Sequence, residues 1–341
     1  MLEIDGAQGE GGGQVLRTSL ALSLVTGTPV HIHHIRAGRA RPGLQAQHLA
    51  SVRAAALVGD ALVDGDVLES RSLTFTPRGL RGGALEFSTG TAGSTLLVLH
   101  TVLPALLRAG CASTIQLTGG THNPFAPTWE HTQHTLFPAL RRLGARVDSV
   151  LERAGFYPAG GGVLRVTVEP TPHLAALEDT ASAVTLRPTR AWIRCCRLPS
   201  HVAQRERPVL ERELGLPPDA ITVLEETGKG PGNAVMVELS NGNGATVILG
   251  ALGEKRLPAE HVANTVVAQA RAALALGVPV DEHLADQLLL YLALGEGGSF
   301  LTSPLTLHAR TQMELIPRFV PVRFDVSTTT AGTRVDVLKG S

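Results

Sequence analysis

The sequence predicts an α/β protein, α+β in the segregation of its layers. It reads as a large domain of three repeated α/β units (1–184 and 278–341) with a smaller α/β domain (185–277) inserted into the third. Three observations lead there. Three passages share one layout of helix, strand, a turn rich in Gly, Pro or Arg, and a second helix. The passage from about Thr185 to Gly277 breaks that rhythm. Hydrophobic residues make up 43% of the 341 and charged residues 18%, enough to bury a sizeable core.

In the first passage Val15, Leu16, Ser19 and Leu22 recur at helical spacing over Gln14–Leu24, and Gly27 suits the C-terminal stop. An alternating strand, Pro29–Ile35, the loop AGRARPG and a helix near Leu44–Leu57 follow. The second passage reads as an apolar helix Ser94–Leu107, a strand Ser113–Leu117, the loop TGGTHNPFAP and a helix near Trp129–Leu143. The third reads as a helix His283–Leu294, a strand Ser299–Leu301, the stretch TSPLTLH and a helix near Ala309–Arg318. Each passage ends in strand-like sequence, at Leu73–Phe75, Val163–Val168 and Val322–Val326. Between them, strand, helix, strand, strand and helix are expected around Trp192–Arg194, Ala203–Leu214, Ala234–Leu239, Thr246–Leu249 and Glu260–Leu276.

Composition excludes several classes. Lys+Arg and Asp+Glu are both 30, so global charge gives no vote for a polyanion partner, and such a site must be a local concentration of arginine. Cys111, Cys195 and Cys196 form neither a disulfide framework nor a zinc-ligand spacing. The opening MLEIDGAQGEGGG lacks a basic region followed by an apolar run, and the apolar stretch Thr95–Leu107 is too short to span a bilayer. A soluble, cytoplasmic protein with no membrane partner is expected.

Chemistry is expected first in the run Asp5–Gln14. Its glycines let the backbone approach a ligand, and the N–H groups at the following helix start attract phosphate. No Gly-Lys-Ser/Thr follows, so the run is not a Walker A loop. Glu10 would repel phosphate unless it holds a metal that bridges to it; otherwise it is a solvated turn residue. Arg17 lies one turn into the helix. Arg36, Arg39 and Arg41 suit phosphate oxygens, or form a solvated basic loop; Gln47 and His48 could point to the same place. Of thirteen histidines most are structural. His31 and His33 share a strand face and could bind metal, though stacked strand side chains are favoured. His131 and His134 with Glu130 lack a fourth zinc ligand. His308 sits where turn meets helix in the third unit, as the Arg39–Arg41 loop does in the first and His122–Asn123 in the second, so the three loops converge if the units share a centre. Histidine is a competent nucleophile for phosphorus at neutral pH. Asp286 and Gln287 could contact a base or ribose; locally, an acidic helix start explains them as well.

Taken together, these motifs resemble the RNA 3'-terminal phosphate cyclases over essentially the full length. The carrying stretches are DGAQGEGGGQVLR (5–17), IRAGRARPGLQAQHL (35–49), GTAGST (90–95), GGTHNPFAP (119–127), GFYPAGGG (155–162), HVAQRE (201–206), GPGN (230–233), GEKR (253–256), HLADQ (283–287), SPLTLH (303–308) and RFVPVRF (318–324). The resemblance implies three repeated units with an inserted domain. It also implies that His308 attacks the α-phosphorus of ATP, that AMP passes to an RNA 3'-phosphate, and that the vicinal 2'-OH closes a 2',3'-cyclic phosphate. It puts a divalent ion, Mg2+ or Mn2+, on Glu10 and phosphates on Arg17, Arg39, Arg41 and Gln47. The nucleotide falls to His100, His283, Leu284, Ala285, Asp286 and Gln287. His100 and His283 depart from the glutamine and tyrosine frequent in similar enzymes, which bears on nucleotide preference.

Three rivals are weighed. A non-catalytic cyclase-like branch lacks the nucleophile, which His308 supplies here. An enolpyruvyl transferase should show two comparable halves. A lysine-dependent ligase needs Lys-x-Asp-Gly, which none of Lys229, Lys255 and Lys339 provides.

Overall fold

The computed structural model describes residues 1–180 and 182–340. Unit one runs β1 (Leu2–Asp5), α1 (Gly13–Thr26), β2 (Val30–His33), α2 (Ala46–Gly59), β3 (Leu62–Asp64) and β4 (Leu73–Thr76). Its sheet has the order β1-β2-β4-β3. β1 and β2 are parallel, which requires a crossover, and α1 supplies it; β2–β4 and β4–β3 are antiparallel. Gly27 ends α1 with φ 70°, the left-handed stop expected of it.

Unit two repeats the scheme with β5 (Gly83–Ser88), α3 (Thr95–Leu106), β6 (Ser113–Gly119), α4 (Trp129–His131), α5 (Phe137–Arg142), β7 (Arg146–Arg153) and β8 (Gly162–Glu169), in the sheet order β5-β6-β8-β7. A π-turn over Thr132–Leu136 joins α4 to α5, so the expected helix over 129–143 exists but carries an irregularity beside the cavity described below.

The third unit opens with β9 (Leu177–Thr180), after which the chain leaves to build β10 (Arg187–Cys196), α6 (His201–Leu214), β11 (Ile221–Glu226), β12 (Gly232–Ser240), β13 (Thr246–Leu252) and α7 (Ala259–Leu276). It then resumes with α8 (Glu282–Leu294), β14 (Gly298–Thr302), α9 (Leu307–Leu315), β15 (Val322–Thr329) and β16 (Gly332–Lys339). The sheet orders are β9-β14-β16-β15 and, for the intervening segment, β11-β10-β12-β13. The extra segment thus occupies the crossover between parallel strands β9 and β14, where added length costs little closure entropy.

The repeats share one core. α1, α2, α3 and α8 are apolar on most of their surface because they are packed between sheets and each other. Leu16, Leu20, Val52, Leu99, Leu288 and Phe300 are all fully inside it. Truncating any of these leucines to alanine costs about 2–5 kcal/mol by the usual cavity penalty. The segment 184–274 has a separate core under α6 and α7, around Ile193, Leu210, Val237 and Val266. A small seam of Ala154, Phe156, Cys196, Ala234, Met236 and Ile248 lies where the two meet. None of the helices among the described residues is long and apolar enough to cross a membrane.

Candidate active site

The Gly6–Gly13 loop is held against α9 from the opposite end of the chain. Gly9 (φ 60°) and Gly11 (φ 57°) turn through the left-handed region. A Cβ on Gly9 would lie 2.7 Å from Thr311 Cγ2, and Glu10 N donates to Thr311 Oγ1 at 3.0 Å. Thr306 caps α9, accepting from Ala309 N at 2.9 Å, which puts His308 in the first turn. From there His308 Nδ1 is hydrogen-bonded to Gln14 Oε1 on α1. An amide oxygen only accepts, so Nδ1 carries the proton and Nε2 keeps its lone pair. Burial is the main influence lowering the pKa of His308, with Arg17, Arg39 and His283 adding to it and Glu10 opposing. The ring is therefore neutral at pH 7.

Glu10 is not a solvated turn residue: its side chain is 5% exposed. Oε1 accepts from Gln14 N at 3.1 Å, while Oε2 pairs with Arg39, whose guanidinium also donates to Glu10 O at 2.8 Å. A Cβ on Gly13 would lie 2.5 Å from His48 Nε2 and 2.6 Å from an Arg17 nitrogen, so both side chains crowd the start of α1. Burial brings Arg17 down to about 10, still cationic; burial, then Arg17 and Arg36, bring His48 to about 3, firmly neutral. Glu10, Arg17 and Arg39 are thus brought together. Arg36 instead staples its own loop through Gly43 O (2.9 Å). Arg41 is exposed and outside the cavity lining. Gln47 Oε1 accepts from Ser94 N at 3.3 Å and braces the start of α3.

Beside His308 opens a cavity of about 790 Å³, lined by Gln14, Arg17, His100, Asp286, Gln287 and His308 among others. Its floor comes from one face of α8, His283, Asp286, Gln287 and Leu290, at helical i, i+3, i+4, i+7 spacing. Leu284 and Ala285, grouped with them on sequence, fall on the other face and are buried in the core. The opposite wall is largely apolar and belongs to the intervening segment: Val247–Gly250 on β13 with Ala272, Ala273, Leu276 and the polar Gln269 on α7. His100 Nε2 and Gln287 Oε1 are buried without a hydrogen-bond partner, as expected of atoms that await a polar ligand. Burial raises Asp286 to about 7, helped by Asp281 and Glu282 and opposed by the Thr306 hydroxyl, which donates to Oδ1 at 2.7 Å. Burial also takes His100 down to about 3. The cavity thus offers a ligand polar groups from α8 and His100 on one side and a largely apolar surface on the other.

The expected meeting of three turn-to-helix loops is only partly seen. His122 is fully buried and its Nε2 lies 2.9 Å from Glu130 Oε2; Glu130 in turn pairs with Arg194, and Arg194 with Glu226. The loop of the second unit reaches the cavity through Phe125–Thr128 instead. His131, Glu130 and His134 diverge. His131 faces the cavity, its Nε2 3.5 Å from Asp281 Oδ1, whereas His134 stacks on Trp192 at 5.1 Å between ring centroids. Sequence reasoning missed Gln14, Asp281, Thr306 and Thr311 as partners. Only Asp281 and Thr306 carry a local signal, as helix caps.

Comparison with known proteins follows the same outline. A family model described as RNA 3'-terminal phosphate cyclase matches residues 8–326. The chain is 44% identical over 337 residues to the RNA 3'-terminal phosphate cyclase of Salmonella enteritidis, covering 99% of this chain and 98% of that one. It is 46% identical to the protein of that name from Pseudomonas fluorescens (95% and 94% covered) and 44% identical to that of Koribacter versatilis (96% and 92%).

Proposed function

The chain belongs to the RNA 3'-terminal phosphate cyclase family, and from that premise we propose that it closes RNA 3'-phosphates to 2',3'-cyclic phosphates at the expense of ATP, through AMP carried on His308. The observation that carries this reading is the His308–Gln14 contact, which leaves a neutral Nε2 free at the edge of the cavity.

In the first step Nε2 attacks the α-phosphorus of ATP, the bond to the bridging oxygen breaks, and pyrophosphate leaves. Gln14 orients the ring and keeps the Nδ1 proton. Arg17 and the N–H groups at the start of α1 face the phosphates, while the α8 face of His283, Asp286 and Gln287, with His100, holds the nucleoside. AMP then passes to an oxygen of the RNA 3'-phosphate, restoring neutral His308. Last, the 2'-OH attacks the activated 3'-phosphorus, gives up its proton and expels AMP. Adenylylation turns a poor leaving oxygen into a good one, and the vicinal hydroxyl reacts at high effective concentration.

Glu10 fits a divalent ion of the Mg2+ or Mn2+ class: it is a nearly buried, acceptor-only carboxylate beside the phosphate loop, neutralised meanwhile by Arg39. When bound, such an ion would offset charge on the departing pyrophosphate. The three free thiols agree with a reducing, cytoplasmic compartment.

The test is incubation with α-labelled ATP and a divalent ion. Covalent label that is acid-labile and hydroxylamine-resistant, present in the parent and absent from His308→Ala, is the expected result. Full labelling of His308→Ala would overturn the mechanism. Labelling of Glu10→Ala with the parent's metal response would remove the ion from Glu10.

A further inference from the structure

The geometry points to a second metal site, outside the cavity, in which Asp5, His33 and His34 hold a zinc-class divalent ion. Their ligand atoms lie within 4.8 Å of one another. His33 Nδ1 and His34 Nδ1 are 3.1 Å apart, His34 Nδ1 is 3.3 Å from Asp5 Oδ1, and His33 Nδ1 is 4.0 Å from it. Around a tetrahedral ion with bonds of about 2.0–2.1 Å, neighbouring ligand atoms should stand roughly 3.3 Å apart. Two of the three edges already meet that spacing, and a small rotation of His33 or Asp5 closes the third.

The backbone sets these side chains in place. β1 and β2 are parallel with Asp5 opposite His33, and Gly6 N donates to His33 O at 2.7 Å. Ala7 N donates to Asp5 Oδ1 at 3.0 Å and fixes the carboxylate. His34 follows directly on the strand and would ordinarily point to the opposite face. It does not, because its φ is 51°, a left-handed conformation uncommon for a residue with a Cβ. That turn brings its ring edge-on to His33, with centroids 4.6 Å apart. The pair suggested by strand alternation, His31 with His33, is not the one that closes: His31 is taken by Glu3 and Ser72, at 2.8 Å each.

Two imidazole nitrogens and one carboxylate oxygen favour a borderline ion such as Zn2+ over Mg2+, which prefers oxygen ligands throughout. The remaining position is open to solvent. Asp5 opens the Gly6–Gly13 loop and His34 opens the loop that carries Arg36, Arg39 and Arg41. An ion here would pin together the roots of the two loops that meet at the Glu10–Arg39 pair.

The experiment is an equilibrium titration of the full chain with Zn2+ in excess Mg2+, comparing the parent with His34→Asn and Asp5→Asn. Asparagine tolerates the left-handed backbone, so His34→Asn removes the ligand without refolding the turn. The parent should take up one more Zn2+ per chain than either variant, or bind that equivalent about tenfold or more tightly. Zn2+ should also slow amide exchange over 35–43 in the parent alone. Equal uptake with equal affinity in the parent and both variants overturns the site, whatever becomes of the mechanism proposed for His308.

Discussion

The His308 imidazole is held by the Gln14 side chain across a gap of 294 residues, Nδ1 donating to the amide oxygen. Gln14→Leu keeps the volume and removes the acceptor. The ring then loses its orientation and its fixed tautomer, at a cost of about 1–3 kcal/mol in the transition state, which is roughly fivefold to 150-fold in rate. Protein–AMP formation should slow by that factor with little change in thermal stability, since Gln14 is only half-buried. Single-turnover labelling with ATP measures it, and a parent-like rate would deny Gln14 a positioning role.

The acid limb of adenylylation should sit low. Burial, Arg17 and Arg39 lower the pKa of His308 below its ordinary 6.5, so the nucleophilic neutral form survives into mildly acidic solution and is lost only as pH falls through the lowered value. Arg39→Ala removes one of the charges that depress it and leaves Glu10, which acts the other way. The limb should therefore move to higher pH in that variant, whatever happens to the maximal rate. A pH–rate profile whose acid limb stays put would show that Arg39 does not set the charge state of His308.

The two cores are joined by a buried charge, so acid should loosen them. Burial by itself would raise Glu130, but His122 and Arg194 outweigh it and hold the carboxyl at about 2, against an ordinary 4.5. A depressed folded-state pKa contributes stability that is complete above 4.5 and is lost as pH falls toward 2. Arg194→Met strands Glu130 with His122 alone and should destabilise the protein by about 3–5 kcal/mol, the usual result of breaking a buried pair. Urea midpoints measured between pH 6 and pH 3 should fall in the parent and fall less in Glu130→Gln. A parent whose midpoint ignores pH would refute the assignment.

Much of the fold was legible because the repeating helices are apolar and their stops are marked. Gly27, Asp281 and Thr306 all sit where the chain turns into or out of a helix. Some strands escaped because they are short or little buried, whereas β7, RVDSVLER, escaped although its burial alternates. β11, with the sequence ITVLEE, is an edge strand with one buried residue, and β9 is four residues long. Of the candidate site, the glycine run is visible in the sequence itself, whereas His308 is one histidine among thirteen until its place at the turn-to-helix junction of the third unit and the family resemblance single it out. Gln14 does not, since nothing in its neighbourhood announces a partner at position 308. His122 misled for the opposite reason: it holds the position of the Arg39–Arg41 loop and His308 in the other units, yet its ring is buried against Glu130, with which Arg194 of the intervening segment also pairs. Leu284 and Ala285 were grouped with their neighbours in sequence, whereas a helix sorts contacts by its period and sends those two into the core.

The last prediction separates activation from closure. In the mechanism proposed above, activation needs only a terminal 3'-phosphate that can reach AMP on His308, and closure needs the vicinal 2'-OH, the one nucleophile placed within the substrate itself. RNA ending in a 2'-deoxy or 2'-O-methyl nucleotide with a 3'-phosphate should accept AMP and stall, carrying it through a 3',5'-pyrophosphate bridge. The natural end should show that species only fleetingly, because intramolecular attack can gain many orders of magnitude over attack from solution. A mass spectrum of the oligonucleotide after incubation with protein, ATP and metal distinguishes the cases. Cyclisation of the natural end with no adenylylated blocked end would break the proposed order of steps. Transfer of phosphate in place of AMP would mark a kinase, which the neutral Nε2 of His308 at the cavity edge gives no reason to expect.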